Sequence, residues 1–427
     1  MNGERWPLEN IRVLDLTWWV AGSEATRILA SMGAEVIKVE NRPSPDPTRF
    51  GSPTVRMKDE PTPEIRPLGY RNSSFGPNRS GIFNNLNPGK KGITLNVKHP
   101  TGHKLLEQLI AKSDVIIENF SADVMERWGL GYDVMKGIRS DIIYVSMSGL
   151  GHTGRNRIYT TMGPNVQALS GLTANSGQPG RPPSGWGFSY MDFLAGYFGA
   201  MAVMFGLVHR KRTCQGQYID LSQVECGILL NSLAMVDYTA NGQLPNQAGN
   251  RSQYGSNMIQ GTYRCRGEDE WCSISVMNDN EEEWSRFCKA LENPAWTGRF
   301  KDGAARSANQ DELDSLLEAW TRERTAQQVQ DILQANGIAA GKMQSAAEQF
   351  DSPQLKSRNF FVPLKNSEIG EWPVFQIPIR SRRRKMSVGG LIGRGSPTLG
   401  EDNTTVLKEL LGLDPGQIEQ YSKEGVI

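Results

Sequence analysis

Short apolar runs alternate with amphipathic segments along the first half of the 427-residue chain. The apolar runs predict six strands, which are IRVLDL, EVIKVE, GITLNV, DVIIENF, DIIYVSMSG and QYIDLS. Between them, AGSEATRILASMG and TGHKLLEQLIAKS predict helices, the second with Leu105, Leu106, Leu109 and Ile110 on one face. Strands and helices that alternate across short joints predict an α/β fold with a parallel, doubly wound sheet.

The pattern changes from residue 226 onwards. There the strands GTYRC and EWCSISV are followed by the helices NEEEWSRFCKALE and DELDSLLEAWTRE, which is typical of an α+β domain. Two domains also agree with a length that exceeds one ordinary core. Residues 43–85 contain eight prolines, which exclude a regular helix or a central strand. We predict a surface loop for this segment, with a subunit contact as the alternative.

Charge and composition exclude several functional classes. Lys+Arg 47 against Asp+Glu 46 leaves no electrostatic footprint for nucleic acid or an anionic membrane. The N-terminal residues lack a signal-peptide pattern, and no run reaches the roughly eighteen apolar residues of a membrane span. Five scattered cysteines without a C-x-x-C pair argue against a disulfide framework or a zinc site. The turn TWWVAG lacks G-x-G-x-x-G. We therefore expect a cytoplasmic protein with neither a metal nor a nucleotide cofactor.

Nine stretches, in order, resemble the class III CoA-transferases, the group of formyl-CoA transferase, carnitine CoA-transferase and α-methylacyl-CoA racemase. They are VLDLT...AG, GAEVIKVE, ENFSADVMERWGLGYD, IIYVSMSGLGHTG, QALSGL, MDFLAG, GQYIDLS, QLKSRNFF and PTLGEDNTTVLKELLGL. The resemblance implies a large Rossmann-like domain made from both chain ends, a smaller α+β domain and an interlocked dimer. The corresponding boundaries are 1–205 with 345–427 for the large domain, 226–330 for the small one, and 206–225 and 331–344 for linkers.

The resemblance also implies that the large domain binds coenzyme A, as the acyl-CoA substrate. The phosphates of CoA need cations or backbone N–H donors, and its adenine needs an apolar slot. The candidates that match family motifs are Lys90 and Lys91 in NPGKKGI, Asn119 and Phe120 in ENF, Arg127 in MERWG and, in the weaker match DPTR, Arg49.

The segment TTMGPNVQALSG, residues 160–171, contains no Asp, Glu, His, Cys or Lys. The resemblance implies a nucleophilic Asp four residues before its Gln, where an aspartyl-CoA thioester forms through mixed anhydrides. Gly163 occupies that position, and Met162 stands where racemase members carry a histidine. Asp192 matches an acidic position of the racemases, and we predict that it accepts backbone N–H bonds at a helix start. His152, in a glycine turn, is predicted to be a surface residue.

These observations predict a subunit of a heteromeric class III CoA-transferase that moves CoA from a donor of the succinyl-CoA type to an organic acid. Catalysis would then depend on a related partner subunit that carries the Asp, as in the benzylsuccinate CoA-transferases of aromatic degradation. One alternative is a catalytically inactive acyl-CoA-binding homologue. Another is an acyl-CoA racemase or isomerase.

Overall fold

Six parallel strands form the central sheet of the protein in the order β3-β2-β1-β4-β5-β6. Their bounds are Arg12–Asp15 (β1), Glu35–Glu40 (β2), Lys91–Thr94 (β3), Val115–Glu118 (β4), Ile143–Ser148 (β5) and Gln217–Ser222 (β6). All six predicted strands and their parallel arrangement are confirmed. The strand order reverses between β1 and β4, which is the topological switch point of a doubly wound fold.

The computed structural model describes residues 5–58, 60, 75–251 and 258–427. Within them the chain divides into two units. The larger unit comprises the described residues of Met1–Ser170, Trp186–Leu229 and Pro353–Ile427, and the smaller comprises those of Gly171–Gly185 and Leu230–Ser352. Of the proline-rich segment 43–85, residues 59 and 61–74 lie outside the described residues.

Helices cover both faces of the large sheet. They are Ala21–Ser31 (α1), Gly81–Leu86 (α2), Pro100–Ala111 (α3), Val124–Arg127 (α4), Tyr132–Ile138 (α5), Gly163–Leu169 (α6), Tyr190–Thr213 (α7) and Gln223–Leu230 (α8), with a 3₁₀ turn at Pro47–Phe50. Successive strand residues serve opposite faces: Val13 packs in the cluster with α1 and α7, and Leu14 in the cluster with α3. Burial of each such side chain contributes about 1.5–3 kcal/mol.

The long helix α7 is packed closely against α1 and the sheet. A Cβ added at Gly199 would lie 2.5 Å from the Sδ atom of Met147, so the glycine leaves room for this side chain where α7 crosses β5. Ala195 and Val203 are fully buried on the same side. Among the described residues, α7 is the one helix whose length and apolar composition would allow it to cross a membrane.

The C-terminal part of the chain returns to the large unit. It forms helix Pro353–Ser357, the antiparallel strands Phe361–Asn366 and Gly370–Phe375, and the helices Asn403–Leu411 and Pro415–Lys423. Val406 and Leu407 are buried in the same cluster as Leu14. A carboxylate oxygen of Asp402 accepts the backbone N–H of Gly92 at 2.7 Å, which ties this return to β3.

The smaller unit contains a three-stranded antiparallel sheet of Met258–Arg264, Trp271–Met277 and Ala339–Lys342. Its helices are Ser232–Asn241, Glu281–Ala290, Trp296–Arg299, Gly303–Ala308, Gln310–Arg322, Ala326–Ala335 and Ala346–Asp351. The two predicted linkers contain regular secondary structure. Residues 206–225 contain the end of α7 and the edge strand β6, and residues 331–344 contain a helix end and the third strand of the small sheet. Gln217–Ser222 pairs with β5 in the large sheet, and Ala339–Lys342 pairs with Trp271–Met277 in the small one.

Candidate active site at the switch point of the sheet

A cavity of about 80 Å³ lies at the carboxyl ends of four strands of the large sheet. We call it the Asp192 cavity. Its wall comes from the turn after β1 (Trp19, Val20, Ala21), the turn after β4 (Asn119, Phe120, Ser121), the end of β5 (Ser148, Gly149), Gln223 after β6, the segment that leads into α6 (Tyr159, Thr161, Met162, Gly163, Val166) and the start of α7 (Ser189, Asp192). This is where ligands bind in doubly wound folds, because the loops on either side of the strand-order reversal diverge there.

Asp192 is the one acidic residue in the wall of this cavity. It lies in the first turn of α7. Burial raises the pKa of its carboxyl group to about 6, and a hydrogen bond with the Ser189 side chain opposes that rise. Among the described residues, no backbone N–H donates to this carboxylate, so the predicted capping role is wrong.

Gly163 and Asp192 occupy the same corner of the cavity. A Cβ added at Gly163 would lie 2.6 Å from Oδ2 of Asp192 and 2.9 Å from both Cβ and Oγ of Ser189. An aspartate at position 163 would therefore collide with the carboxylate that is already present. Residues 160–171 themselves carry no carboxylate, and Asp192 brings one to this corner from another helix.

Backbone geometry fixes the turn between β1 and α1. The side-chain amide of Asn119 accepts the backbone N–H of Trp18 and donates to the Trp18 carbonyl, both at 2.8 Å. Trp19 has a φ of 61°, in the left-handed region, and its N–H donates to Asp46 Oδ1 at 3.2 Å. Helix α1 begins at Ala21 in the cavity wall. The first N–H groups of a helix lack intrahelical acceptors and favour nearby negative charge.

A second cavity, of about 200 Å³, lies on the other side of Phe120. We call it the aromatic slot. Its wall is mostly apolar and includes Leu16, Trp18, Val39, Leu95, Val97, Phe120 and Trp128. The ring of Phe120 meets Trp18 and Trp128 edge-on, with centroid separations of 5.9 and 5.3 Å. Phe120 thus separates the two cavities and lines both.

Three of the six predicted CoA-binding residues lie at this edge of the sheet or just beyond it. Asn119 and Phe120 are in the turn between the cavities, as described above. Arg127 ends the short helix α4, next to Trp128 of the aromatic slot, and is exposed. Within the part of the chain that the structure describes, its side chain forms no hydrogen bond or ion pair. CoA binding by these three residues stays a prediction.

The other three cations are engaged in ion pairs. Lys90 is fully buried, with Nζ 3.1 Å from Asp15 Oδ2, and burial lowers its pKa to about 8 against the opposing effect of Asp15. Arg49 is also buried and donates through Nε and Nη2 to Glu40 at 2.8 and 2.6 Å. These two side chains have no surface from which to meet a phosphate. Lys91 lies at the amino end of β3, whereas the residues after the carboxyl end of that strand line the aromatic slot.

Lys91 also forms an ion pair within the protein. Its Nζ lies 2.7 Å from Glu35 at the start of β2. Both lysines of NPGKKGI, like Arg49, therefore form ion pairs within the protein, and CoA contacts of Lys90, Lys91 and Arg49 stay predictions. A cation before a strand does not by itself reveal whether its partner is a ligand or a buried carboxylate.

A Rossmann-order sheet with a cavity at its switch point is typical of a ligand-binding α/β domain. The sequence profile of CoA-transferase family III matches residues 8–403, and the chain belongs to that family. It is 30% identical over 423 residues to the succinyl-CoA–D-citramalate CoA-transferase of Chloroflexus aurantiacus, covering 99% of this chain and 98% of that one. It is 27% identical over 425 residues to the succinyl-CoA–L-malate CoA-transferase beta subunit of the same organism, with the same coverage. A CaiB/BaiF family protein from Brucella suis has a similar structure, with a TM-score of 0.81 at 27% identity over 95% of this chain and 100% of that one.

Proposed function

We propose that this chain transfers CoA between carboxylic acids and that the carboxylate of Asp192 is the group that accepts the acyl unit. One observation carries the proposal: a partly buried carboxyl group faces the switch-point cavity directly beside Gly163. With a pKa of about 6, it is ionised at neutral pH but remains more basic than an ordinary aspartate. Both properties suit a carboxylate nucleophile.

The chemistry balances over four displacements. Asp192 attacks the carbonyl carbon of the donor acyl-CoA, which forms a mixed anhydride and releases CoA thiolate. The thiolate then attacks the aspartyl carbonyl, giving an aspartyl-CoA thioester and the free donor acid. The acceptor carboxylate attacks this thioester, which forms a second anhydride and releases CoA thiolate. Attack of this thiolate on the acceptor carbonyl gives the acceptor acyl-CoA and regenerates the carboxylate of Asp192. Helix α1 begins in the wall of this cavity, and its first N–H groups, which lack intrahelical acceptors, would stabilise the negative oxygens that develop there.

The CoA nucleotide fits the aromatic slot in this proposal. A flat, apolar adenine matches rings such as Trp18, Phe120 and Trp128. Arg127, exposed beside Trp128, is available for a phosphate. Phe120 separates the two cavities, so a thioester near Asp192 and an adenine in the slot would lie on opposite sides of one ring.

A heteromeric enzyme is the second candidate, in which this chain supports a related catalytic subunit. Position 163 carries glycine instead of the expected aspartate, and one relative is named as a beta subunit. Many apolar side chains in the helices after residue 190 are exposed, including Phe205, Leu229, Leu233 and Val236 at 61–63%. Such surface is usually covered by a protein partner. Both candidates include an interlocked dimer, of like chains in the first case and unlike chains in the second. A cytoplasmic location stays a prediction.

The test is transfer by the purified chain alone. Succinyl-CoA is the donor, and citramalate, malate, mesaconate and glutarate, the acids named for its relatives, are the acceptors. Hydroxylamine traps the thioester, and peptide mass spectrometry locates the hydroxamate. A label on Asp192 of the chain alone supports the first candidate. No transfer by the chain alone, with a label on a second chain when the protein is purified from its source, supports the heteromer.

Two variants sharpen this test. Asp192→Asn removes the nucleophile and should reduce transfer by at least about a thousandfold. Asp133→Asn is the matched control, because Asp133 is also an acid in the first turn of a helix but lies outside both cavities. Equal activity of the two variants would contradict the role of Asp192.

A further inference from the structure

A buried carboxyl group holds the turn that separates the two cavities. Glu118 is the last residue of β4, directly before Asn119 and Phe120, and is fully buried. Its Oε2 atom accepts the backbone N–H of Phe120 at 2.7 Å. Its Oε1 atom accepts the hydroxyl of Tyr144 at 2.9 Å and the hydroxyl of Ser146. Three donors therefore fix the carboxyl group, and the carboxyl group in turn fixes the backbone of Phe120.

The hydrogen-bond chain continues to a histidine near the surface. Ser146 Oγ lies 2.6 Å from Nε2 of His152, in the glycine turn after β5. Since the single hydroxyl proton of Ser146 is donated to Glu118, His152 donates through a protonated Nε2. The backbone N–H of His152 donates to both carboxylate oxygens of Asp220 at 2.9 Å, which holds the turn in place. His152 was predicted to be a surface residue, and that prediction did not include its contact with Ser146.

The three side chains do not form a hydrolytic triad. In such a triad the histidine lies between the acid and the serine, whereas here Ser146 lies between Glu118 and His152. Ser146 is fully buried and is absent from the wall of the Asp192 cavity, to which Ser148 contributes instead. The arrangement therefore has no nucleophile directed at a substrate, and its consequence is the fixed position of the turn.

We propose that Glu118 is a positioning residue for acyl-CoA binding, held in place by Ser146 and His152, and that it acts through the backbone of Phe120. This inference rests on the proposed CoA transfer and adds a determinant of CoA affinity outside both cavities. Burial raises the pKa of Glu118, and the hydrogen bonds from Ser146 and Phe120 oppose that rise. Because Glu118 is buried and hydrogen-bonded to several partners, variants that change one partner at a time show what each hydrogen bond contributes.

The test uses the full chain, with CoA itself as the binding probe and transfer from succinyl-CoA as the activity. Glu118→Gln keeps the side-chain shape but presents an N–H₂ group to one of its donors. We expect the Kd for CoA and the KM for the donor to rise about tenfold, while kcat stays within about twofold. Ser146→Ala breaks the link to His152 and should raise both constants about threefold.

Ser113→Ala is the control, because Ser113 is equally buried and donates to the Leu109 carbonyl at 2.7 Å, away from the cavities. It should leave KM and Kd unchanged. If Glu118→Gln does not fold, Ser146→Ala decides the question. A folded Glu118→Gln or Ser146→Ala protein with an unchanged Kd overturns the proposal, as does a loss confined to kcat. A parent protein that binds CoA but transfers none refutes the proposed function and leaves the binding test intact.

Discussion

Replacing Lys90 by methionine tests whether this lysine is a structural cation or a phosphate ligand. In the structure, its Nζ lies within hydrogen-bond distance of four acceptors, which are Asp15 at 3.1 Å, the Ser23 carbonyl at 3.0 Å, and Thr26 and Asn87 at 2.7 Å each. Methionine fills a similar volume but supplies no charge and no donor. Asp15, fully buried, then loses its nearest counter-ion.

The expected loss is large. Removing one partner of a buried ion pair costs about 3–5 kcal/mol. The matched control is Lys91→Met, one residue further on, whose partner Glu35 and own side chain are 23% and 18% exposed. Such a pair near the surface contributes about 0–1 kcal/mol. The two adjacent variants should therefore differ by several kcal/mol.

Urea unfolding at pH 7, followed by circular dichroism in the absence of CoA, measures this difference. With a slope of about 3 kcal/mol/M, the midpoint for Lys90→Met should fall by about 1 M or more, and that for Lys91→Met by less than about 0.3 M. Equal midpoints for the two variants, together with a weaker Kd for CoA in Lys90→Met, would refute the reasoning. Lys90 would then be a ligand contact, as its motif had suggested.

Three other predictions follow from the site and the exposed helices. Transfer should increase as pH rises through about 6, where Asp192 ionises. Because the folded pKa of Asp192 is raised from 3.8, the folded protein loses stability as pH rises from 3.8 to about 6. Asp192→Asn should therefore raise the free energy of unfolding by up to about 3 kcal/mol at pH 7.5, measured by urea unfolding. A destabilised Asn variant or a flat pH profile would contradict this. Gly163→Ala should lower kcat at least about tenfold by displacing Asp192, whereas Gly137→Ala, with no atom within 4 Å, should leave kcat unchanged. Equal rates would exclude the steric argument. Phe205→Asp should convert dimers to monomers in native mass spectrometry, unlike Val134→Asp on exposed α5; intact dimers would exclude that face from the interface.

Local patterns in the sequence determined the six strands and the parallel sheet. The five strands other than β6 are buried almost throughout, on both faces of the sheet, so their apolar runs can be recognised without knowledge of distant residues. The motif ENF also predicted that Asn119 and Phe120 contribute to a binding site, and both line the Asp192 cavity. Residues directly after a parallel strand lie at the carboxyl end of the sheet, where ligands bind in this type of fold. The strand QYIDLS was predicted in the same way, inside the segment 206–225 for which the family resemblance implied a linker.

Only the tertiary structure decided which charges are partners and which carboxylate faces the cavity. The Asp15 partner of Lys90 lies 75 positions away, and the buried carboxylate that pairs with Arg49 comes from the end of β2. Asp192 enters the corner beside Gly163 because α7 begins there, a juxtaposition that no spacing within residues 160–171 reveals. Hydrophobic period is a local property of the chain, whereas charge pairing and the composition of a cavity depend on which segments the packed core brings together.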